Sequence, residues 1–203
     1  MIIEWKVSIP TLAPDLERRA YVYLPEDWEK SGKRYDVMYM YDGHNVFFDS
    51  HATYGKSWGM KEYLDAAKKD LIVVGIECGH EGEERLSEYL PYPAVGHFSQ
   101  FEPWGEKTMD WIVHEIKPMI DRDYRTLPDR EHTIIAGSSM GGLMSLYAVI
   151  AYNQYFSGAA ALSPSLWTNP SAIESMIRGT RIRQNTRIYM DYGSEELRNQ
   201  NGM

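Results

Sequence analysis

One stretch of this chain constrains the fold more than any other. Residues 132–152 read HTIIAGSSMGGLMSLYAVIAY, a β-branched run joined to an apolar helical segment by a turn of small residues. A strand that leads directly into a helix is the repeating unit of a parallel sheet. The runs YDVMYMYDG, LIVVGIE, FSGAAALS and TRIYMDYG have strand character, and segments with helical spacing lie between them. The order predicts an α/β fold, with a mostly parallel sheet covered by helices on both faces.

The remaining segments complete this organisation. IIEWKVSI and ERRAYVYLP are expected to form an antiparallel hairpin ahead of the parallel strands. SWGMKEYLDAAKKD has helical spacing, and we expect its inward side chains to be the following: Trp58, Tyr63 and Ala66 or Ala67. WGEKTMDWIVHEIKPMIDRDY is an amphipathic helix in which Pro118 should kink or shorten the last turn. Without repeats or linker-like stretches, residues 1–203 are expected to form a single domain.

The turn after the fifth predicted strand carries a candidate nucleophile. Residues 137–141 read GSSMG, which matches G-x-S-x-G between a strand and a helix. To lift Ser139 out of the sheet, the chain has to turn sharply, and the strand and helix then cross too closely for side chains at Gly137 and Gly141. Gly142 adds further space. The alternative is a plain glycine-rich turn with an idle serine.

Backbone amides near this turn are candidates for an oxyanion hole. The amide of Met140 stands at the start of the following helix, where N–H groups point towards the site. A second donor is expected from the loop after the third strand, YDGHNVFFD, where Gly43 would let the backbone approach a substrate. The N–H of His44 or Asn45 would then point inward. The alternative is that this DG pair is only a tight turn.

An acid that orients a catalytic histidine is expected after the last strand. The segment IYMDYGSEE offers Asp191, Glu195 and Glu196. Asp191 should still belong to the strand, so the two glutamates in the turn are better placed. The alternative is an acidic pair that interacts with a helix dipole.

Composition excludes several classes of partner. The chain has 21 basic and 29 acidic residues, a formal net charge of −8, and such a surface disfavours nucleic acid and anionic membranes. The N-terminus lacks the basic and apolar regions of a signal peptide, so a cytoplasmic location is expected. Cys78, the one cysteine, sits in the apolar run DLIVVGIECG and is interpreted as a buried structural thiol.

Several blocks together resemble a known family. RRAYVYLPEDWEKSGKRYDVMYMYDGHNVF, YRTLPDREHTIIAGSSMGGLMSLYA, FSGAAALSPSLW and DYGSEE are similar to the Putative esterase family of the α/β-hydrolase superfamily, which includes feruloyl, acetylxylan and enterochelin esterases and S-formylglutathione hydrolase (esterase D). The resemblance implies Ser139 as nucleophile and Glu196 as acid. It also implies the Met140 amide and the DGHN loop, with Gly43 and His44, as oxyanion hole. The implied reaction is hydrolysis of a small-molecule carboxylic ester through an acyl-serine, without metal or organic cofactor.

The histidine that the family places after an eighth strand has no counterpart here. The six histidines all precede the acid: His44, His51, His80, His97, His114 and His132. By strand count, the α/β-hydrolase fold is expected to lack its last strand and helix. Three hypotheses stay open: the chain is C-terminally incomplete, His80 or His97 acts as the base, or the protein binds a ligand without turnover. An incomplete chain would leave the seventh strand as an uncovered edge and favour a homo-oligomer.

A candidate substrate pocket lies among aromatic residues. The segment SEYLPYPAVGHFSQFEPWG is aromatic and poorly periodic, so it is expected to form a long loop over the strand ends. Together with Trp167 and Tyr192 it could line a pocket for a sugar or an aromatic acyl ester. The alternative is that these aromatic side chains only hold the loop in place.

Overall fold

The computed structural model describes residues 1–194, except for the side chains of residues 13 and 14. These residues contain seven strands: β1 Ile2–Ile9, β2 Ala13–Tyr23, β3 Asp36–Tyr41, β4 Leu71–Ile76, β5 Thr133–Ser138, β6 Gly158–Leu162 and β7 Arg187–Asp191. Six α-helices accompany them within residues 1–194: α1 Met60–Ala67, α2 Glu84–Glu88, α3 Gly105–Trp111, α4 Lys117–Asp123, α5 Met140–Ala151 and α6 Pro170–Gly179. Short 3₁₀ turns include Gly43–Asn45 directly after β3.

All seven strands belong to one sheet with the order β1-β2-β4-β3-β5-β6-β7. The β1–β2 and β2–β4 pairs are antiparallel, and the pairs from β4 to β7 are parallel. The predicted entry hairpin and mostly parallel sheet are therefore confirmed. The exchange of β3 and β4 relative to chain order places the ends of β3, β4 and β5 side by side.

The central parallel strands β3 to β6 are largely buried on both faces, as their nearly continuous apolar sequences predict. Alternate residues of β4 pack into two separate hydrophobic clusters: Ile72 and Val74 into the larger one and Val73 into the smaller. Side chains of α3 to α6 contribute to the larger cluster, and Leu64 of α1 contributes to the smaller. Helices thus cover both faces, which confirms the predicted layering.

The prediction was wrong about the inward face of the first helix. Leu64 is its one buried residue. The side chains expected inward are largely exposed: Trp58, Tyr63, Ala66 and Ala67. The helix begins only at Met60, after Gly59 in a left-handed conformation with φ 63°. Trp58 therefore precedes the helix. The prediction treated residues 57–70 as one continuous helix and so assigned the wrong residues to its buried face.

The effect of Pro118 also differs from the expectation. The helical segment continues to Asp123, so its last turn is not shortened. The distortion comes earlier, as a π-helical turn over Ile112–Ile116 in which the N–H of Lys117 donates to the carbonyl of Ile112. Proline lacks an N–H and its ring crowds the carbonyl four residues before it. A wider turn just ahead of Pro118 accommodates both effects.

The last described strand forms one edge of the sheet. Within residues 1–194, β7 pairs with β6 alone. Its side chains Ile188, Tyr189 and Met190 are 43%, 58% and 48% exposed. The expectation of an uncovered seventh strand agrees with this geometry, whereas self-association through it stays a prediction. Across the described part of the chain, no helix has the length and apolarity to cross a membrane.

Candidate active site

Ser139 occupies a sharp turn between β5 and α5. Its backbone has φ 57° and ψ −118°, a combination that non-glycine residues rarely adopt. Neighbouring backbone groups hold it there: its N–H donates to the carbonyl of Leu162 at 2.9 Å, and its carbonyl accepts from the N–H of Ser165 at 3.1 Å. The strain that the G-x-S-x-G motif predicts is therefore present at the serine itself.

Gly137 of the motif and Gly142 just after it are required by close backbone contact, whereas a Cβ atom on Gly141 would meet the side chain of Tyr41 at 3.0 Å. A Cβ atom added to Gly137 would lie 2.6 Å from the carbonyl carbon and oxygen of Gly141. One added to Gly142 would lie 2.8 Å from the carbonyl oxygen of Leu162. Distances this short are far inside normal van der Waals contact, so a side chain at either position would force the strand and helix apart.

The hydroxyl of Ser139 has one hydrogen-bond partner in residues 1–194, the Oγ atom of Ser165 at 3.2 Å. Ser165 is 3% exposed and was not singled out by the sequence motif. It follows β6, the strand next to β5, so the topology rather than the local sequence brings it to the elbow. None of the described histidines is hydrogen-bonded to Ser139.

The predicted oxyanion donors stand at two neighbouring strand ends. Met140 is the first residue of α5, and an amide at that position has no acceptor within the helix. Gly43 and His44 belong to the 3₁₀ turn after β3, which is adjacent to β5 in the sheet. A Cβ atom on Gly43 would lie 2.5 Å from the carbonyl carbon of Gly75 in β4. The small residue is thus needed for contact with β4, whereas the prediction assigned it to substrate access.

A cavity of about 560 Å³ opens beside these strand ends. Ser138, Ser139 and His44 are among its lining residues. Residues from the loops after β3 and β4 form the rest of the wall: Asp42, Asn45, Thr53, Tyr54, Lys56, Trp58, Cys78, Gly79, His80, Gly82, Glu83, Arg85 and Leu86. The carboxyl ends of parallel strands are the usual position for ligands in such sheets.

Two ion pairs, one partly buried and one fully buried, fix the wall of this cavity. Arg85 binds both carboxylate oxygens of Asp42, at 2.7 and 2.9 Å, and Asp42 has a left-handed backbone with φ 56°. Glu88 pairs with Arg18 and also accepts from the N–H of Gly79 at 3.1 Å. Charged groups removed from water need such partners. The pairs therefore hold the loops after β3 and β4 in a defined arrangement.

Of the two histidines that the sequence proposed as substitute bases, the structure places only one on the cavity wall. His80 lines the same cavity as Ser139, and its ring lies 4.6 Å from that of His44. His97 belongs to an exposed 3₁₀ turn and is not a lining residue of the cavity. His132 hydrogen-bonds Asp36 at the opposite, N-terminal end of the parallel strands.

Two titratable side chains of the cavity wall are kept neutral by burial. Burial lowers the pKa of His44, because a charged imidazolium loses its hydration. Burial also raises the pKa of the Cys78 thiol well above its ordinary value, and the nearby Asp42 carboxylate adds to that effect. Cys78 is 2% exposed, as its apolar sequence predicts. Both groups are therefore uncharged near neutral pH.

Other predicted site residues lie elsewhere. Trp167 packs against Phe98 with ring centroids 4.7 Å apart and ring planes tilted by 60°, and the hydroxyl of Tyr192 donates to the carbonyl of Pro164. Neither lines the cavity with Ser139, so their role in substrate binding stays a prediction. Asp191 is the last residue of β7, as expected. Glu195 and Glu196 lie outside the described residues.

Comparison with known proteins agrees with this architecture. YbbA of Bacillus subtilis strain 168, named as uncharacterized, is 28% identical over 193 residues, which cover 89% of this chain and 70% of that protein. An endo-1,4-beta-xylanase/feruloyl esterase of Xylanibacter ruminicola is 27% identical over 82% of this chain, but only 23% of its own length is matched.

Among solved structures, an IroE-like serine hydrolase from Shewanella oneidensis superimposes with a TM-score of 0.73 and 22% identity, covering 94% of this chain and 60% of that chain. This similarity confirms the α/β-hydrolase type of fold. The family model described as Putative esterase matches residues 12–202. The chain therefore belongs to this esterase family.

Proposed function

We propose that this chain is a carboxylic ester hydrolase in which Ser139 is the nucleophile. The observation that carries the proposal is the strained backbone of Ser139, at φ 57° and ψ −118°, on the wall of a cavity at the strand ends. Membership of the esterase family supports ester hydrolysis in general. A serine held in a costly conformation favours a role for its hydroxyl over that of an idle turn residue.

The proposed reaction has two steps. Ser139 Oγ attacks the ester carbonyl, the hydroxyl proton passes to a base and then to the departing alcohol, and an acyl-serine forms. Water then attacks the acyl-serine and returns the free hydroxyl and a carboxylic acid. The amides of Met140 and His44 would stabilise the negative charge on the carbonyl oxygen in both steps, with Gly43 shaping the turn that carries His44.

Two histidines on the cavity wall are candidates for the base. His80 is the exposed one of the two, and it would have to come within hydrogen-bond distance of Ser139 Oγ before it could accept the proton. His44 is the other lining histidine, but its Nε2 is already 3.1 Å from the hydroxyl of Thr53. A role for Glu196 in orienting a histidine stays a proposal from the family resemblance.

A second candidate function is ligand binding without turnover. The specific observation in its favour is that, in the described part of the chain, Ser139 Oγ hydrogen-bonds Ser165 rather than any histidine. A serine hydroxyl without a base is a weak nucleophile near neutral pH. In that case the cavity would still bind an ester or its product, but the ester would not be hydrolysed to a carboxylic acid.

The cavity suits a small-molecule ester. Its volume of about 560 Å³ is within the range of ligand pockets. Tyr54 and Trp58 contribute aromatic surface, and Tyr54 is 94% exposed. Aromatic side chains stack on aryl groups and on the apolar faces of sugars. We therefore propose an aromatic acyl or sugar ester as substrate, in keeping with the feruloyl esterase relative, and no nucleic-acid or membrane partner.

The test is hydrolysis of p-nitrophenyl acetate and methyl ferulate by the full chain and by Ser139→Ala. Ser138→Ala is the matched control, because it removes a hydroxyl from the adjacent residue of the same cavity. The proposal predicts that Ser139→Ala lowers kcat/KM by about 10³-fold or more, whereas Ser138→Ala changes it by less than about 10-fold.

Equal activity in all three proteins would exclude Ser139 as the nucleophile. If Ser139 is active, His80→Ala and His97→Ala separate the two substitute bases: loss of kcat in the first alone would support His80. Binding of methyl ferulate without any Ser139-dependent hydrolysis would instead support the second candidate function.

A further inference from the structure

Three side chains with metal-binding chemistry meet on the cavity wall. The ligand atoms of His44, Cys78 and His80 lie within 4.8 Å of one another. They come from different segments: His44 follows β3, whereas Cys78 and His80 follow β4. The pairing of β3 with β4 brings these strand ends together. No short sequence motif joins these residues, which is why the sequence predicted no metal ligands.

One of the three side chains has an unsatisfied atom. His44 is 5% exposed, and its Nδ1 is buried without a hydrogen-bond partner. Its Nε2 lies 3.1 Å from Oγ1 of Thr53. When Nε2–H donates to that hydroxyl, Nδ1 presents a lone pair. A buried lone pair without a partner is costly, and a second ring nitrogen held by a hydrogen bond is typical of histidines that bind metals.

We propose that His44, Cys78 and His80 form a binding site for a divalent zinc ion. Two imidazole nitrogens and one thiolate suit Zn²⁺, and they are poor ligands for Mg²⁺ or Ca²⁺, which prefer oxygen. The site adjoins an open cavity, so the fourth position of a tetrahedral ion would be available to water or to a ligand. Zinc binding does not require ester hydrolysis at Ser139, although a His80 nitrogen bound to zinc could not act as the base at the same time.

The geometry requires at most a small closure. Zn–N bonds of about 2.0–2.1 Å and a Zn–S bond of about 2.3 Å place tetrahedral ligand atoms roughly 3.3–3.6 Å apart. Since the three ligand atoms lie within 4.8 Å of one another, any closure needed is at most about 1.5 Å. His44 and Cys78 are buried, whereas His80 is exposed and lies between Gly79 and Gly82. His80 is the ligand that would move to complete the site.

The proton balance is simple. Zinc binds the thiolate, so the Cys78 S–H bond breaks, an S–Zn bond forms and one proton is released to solvent. His44 and His80 bind as neutral imidazoles. The Asp42 carboxylate is held at both oxygens by Arg85, so it contributes charge near the site rather than a fourth ligand. No oxidant or reductant is involved.

The site is tested with Zn²⁺ and with Co²⁺ as its spectroscopic substitute, on the full chain and without any ester. The proposal predicts one Zn²⁺ per chain by calorimetry, and a near-ultraviolet thiolate-to-Co²⁺ absorption band that Zn²⁺ removes. Cys78→Ser should abolish the band. His80→Ala should weaken Zn²⁺ binding by more than about 10-fold, and Thr53→Val, which removes the partner of Nε2, by about 10 to 100-fold.

The matched control is His97→Ala, an exposed histidine outside the cavity, which should leave binding unchanged. Absence of the absorption band in the unmodified chain would overturn the proposal. So would equal weakening by His97→Ala and His80→Ala, which indicates adventitious surface binding. Ser139→Ala should bind Zn²⁺ normally, so failure of the zinc site and failure of the proposed ester hydrolysis are distinguished. Circular dichroism of each variant excludes unfolding as the cause of lost binding.

Discussion

Replacement of Ser139 by glycine should produce a more stable protein than its replacement by alanine. Alanine would have to adopt φ 57° and ψ −118°, whereas glycine adopts positive φ with little cost. Both substitutions remove the hydroxyl that bonds Ser165, so that loss cancels in the comparison. The difference between the two variants therefore reports the backbone strain at the elbow.

The magnitude follows from two opposing effects. A non-glycine residue in such a sparsely populated region costs about 1–3 kcal/mol. Glycine gains about 0.4–1 kcal/mol more conformational freedom in the unfolded chain, which acts in the opposite direction. We expect Ser139→Gly to exceed Ser139→Ala by about 0.5–2 kcal/mol in free energy of unfolding. With a urea dependence of about 2 kcal/mol per molar, the midpoint should rise by about 0.2–1 M.

Urea denaturation followed by tryptophan fluorescence measures this difference. Ser138 supplies the internal control, because it is a strand residue of β5 immediately before the elbow. There the ordinary preference applies, and Ser138→Gly should be less stable than Ser138→Ala by about 0.5–1 kcal/mol. The sign of the glycine effect should thus reverse between adjacent residues. A Ser139→Gly protein less stable than Ser139→Ala would refute the strained elbow.

Further substitutions test the contacts around this turn. Gly137→Ala should lower the free energy of unfolding by about 1–3 kcal/mol, because the new Cβ meets backbone atoms of Gly141 at 2.6 Å. Gly179→Ala, where no atom lies within 4 Å of the new Cβ, is its control, and a loss of similar size there would contradict the argument. Arg85→Met leaves the buried Asp42 carboxylate unpaired and should lower the free energy of unfolding by about 2 kcal/mol. This is less than for a fully buried pair, because the side chain of Arg85 is 32% exposed. Adding Asp42→Asn to that variant should recover part of the loss, and an unchanged urea midpoint in the double variant would argue against an unpaired charge as the cause.

The regular parts of the fold could be predicted because their sequence signals are local. Buried parallel strands are continuous apolar runs, and the elbow has to be flanked by glycines. The phase of α1 was missed because it depends on where the helix starts: Gly59, with its positive φ, excludes Trp58 from the helix. The π-helical turn before Pro118 also has a local cause, the proline itself. Its exact position could not be predicted, because it depends on how the helix packs.

The site was only partly predictable because much of it depends on sheet order. Ser139 and Met140 belong to one motif, so the sequence alone brings them together. Cys78 and His80 reach the cavity because β4 lies beside β3, which no local pattern specifies. Ser165 reaches Ser139 in the same way, through the pairing of β6 with β5. Residues from separate strand ends can be combined only once the order of the strands is known.

The most direct test of the central claim is covalent labelling of the nucleophile. The full chain is incubated with a fluorophosphonate, and the modified residue is identified by mass spectrometry of its peptides. The account predicts a single adduct per chain on Ser139, unchanged in Ser138→Ala and absent in Ser139→Ala. An unlabelled chain, or an adduct on any other residue, would contradict the assignment of Ser139 as an activated nucleophile.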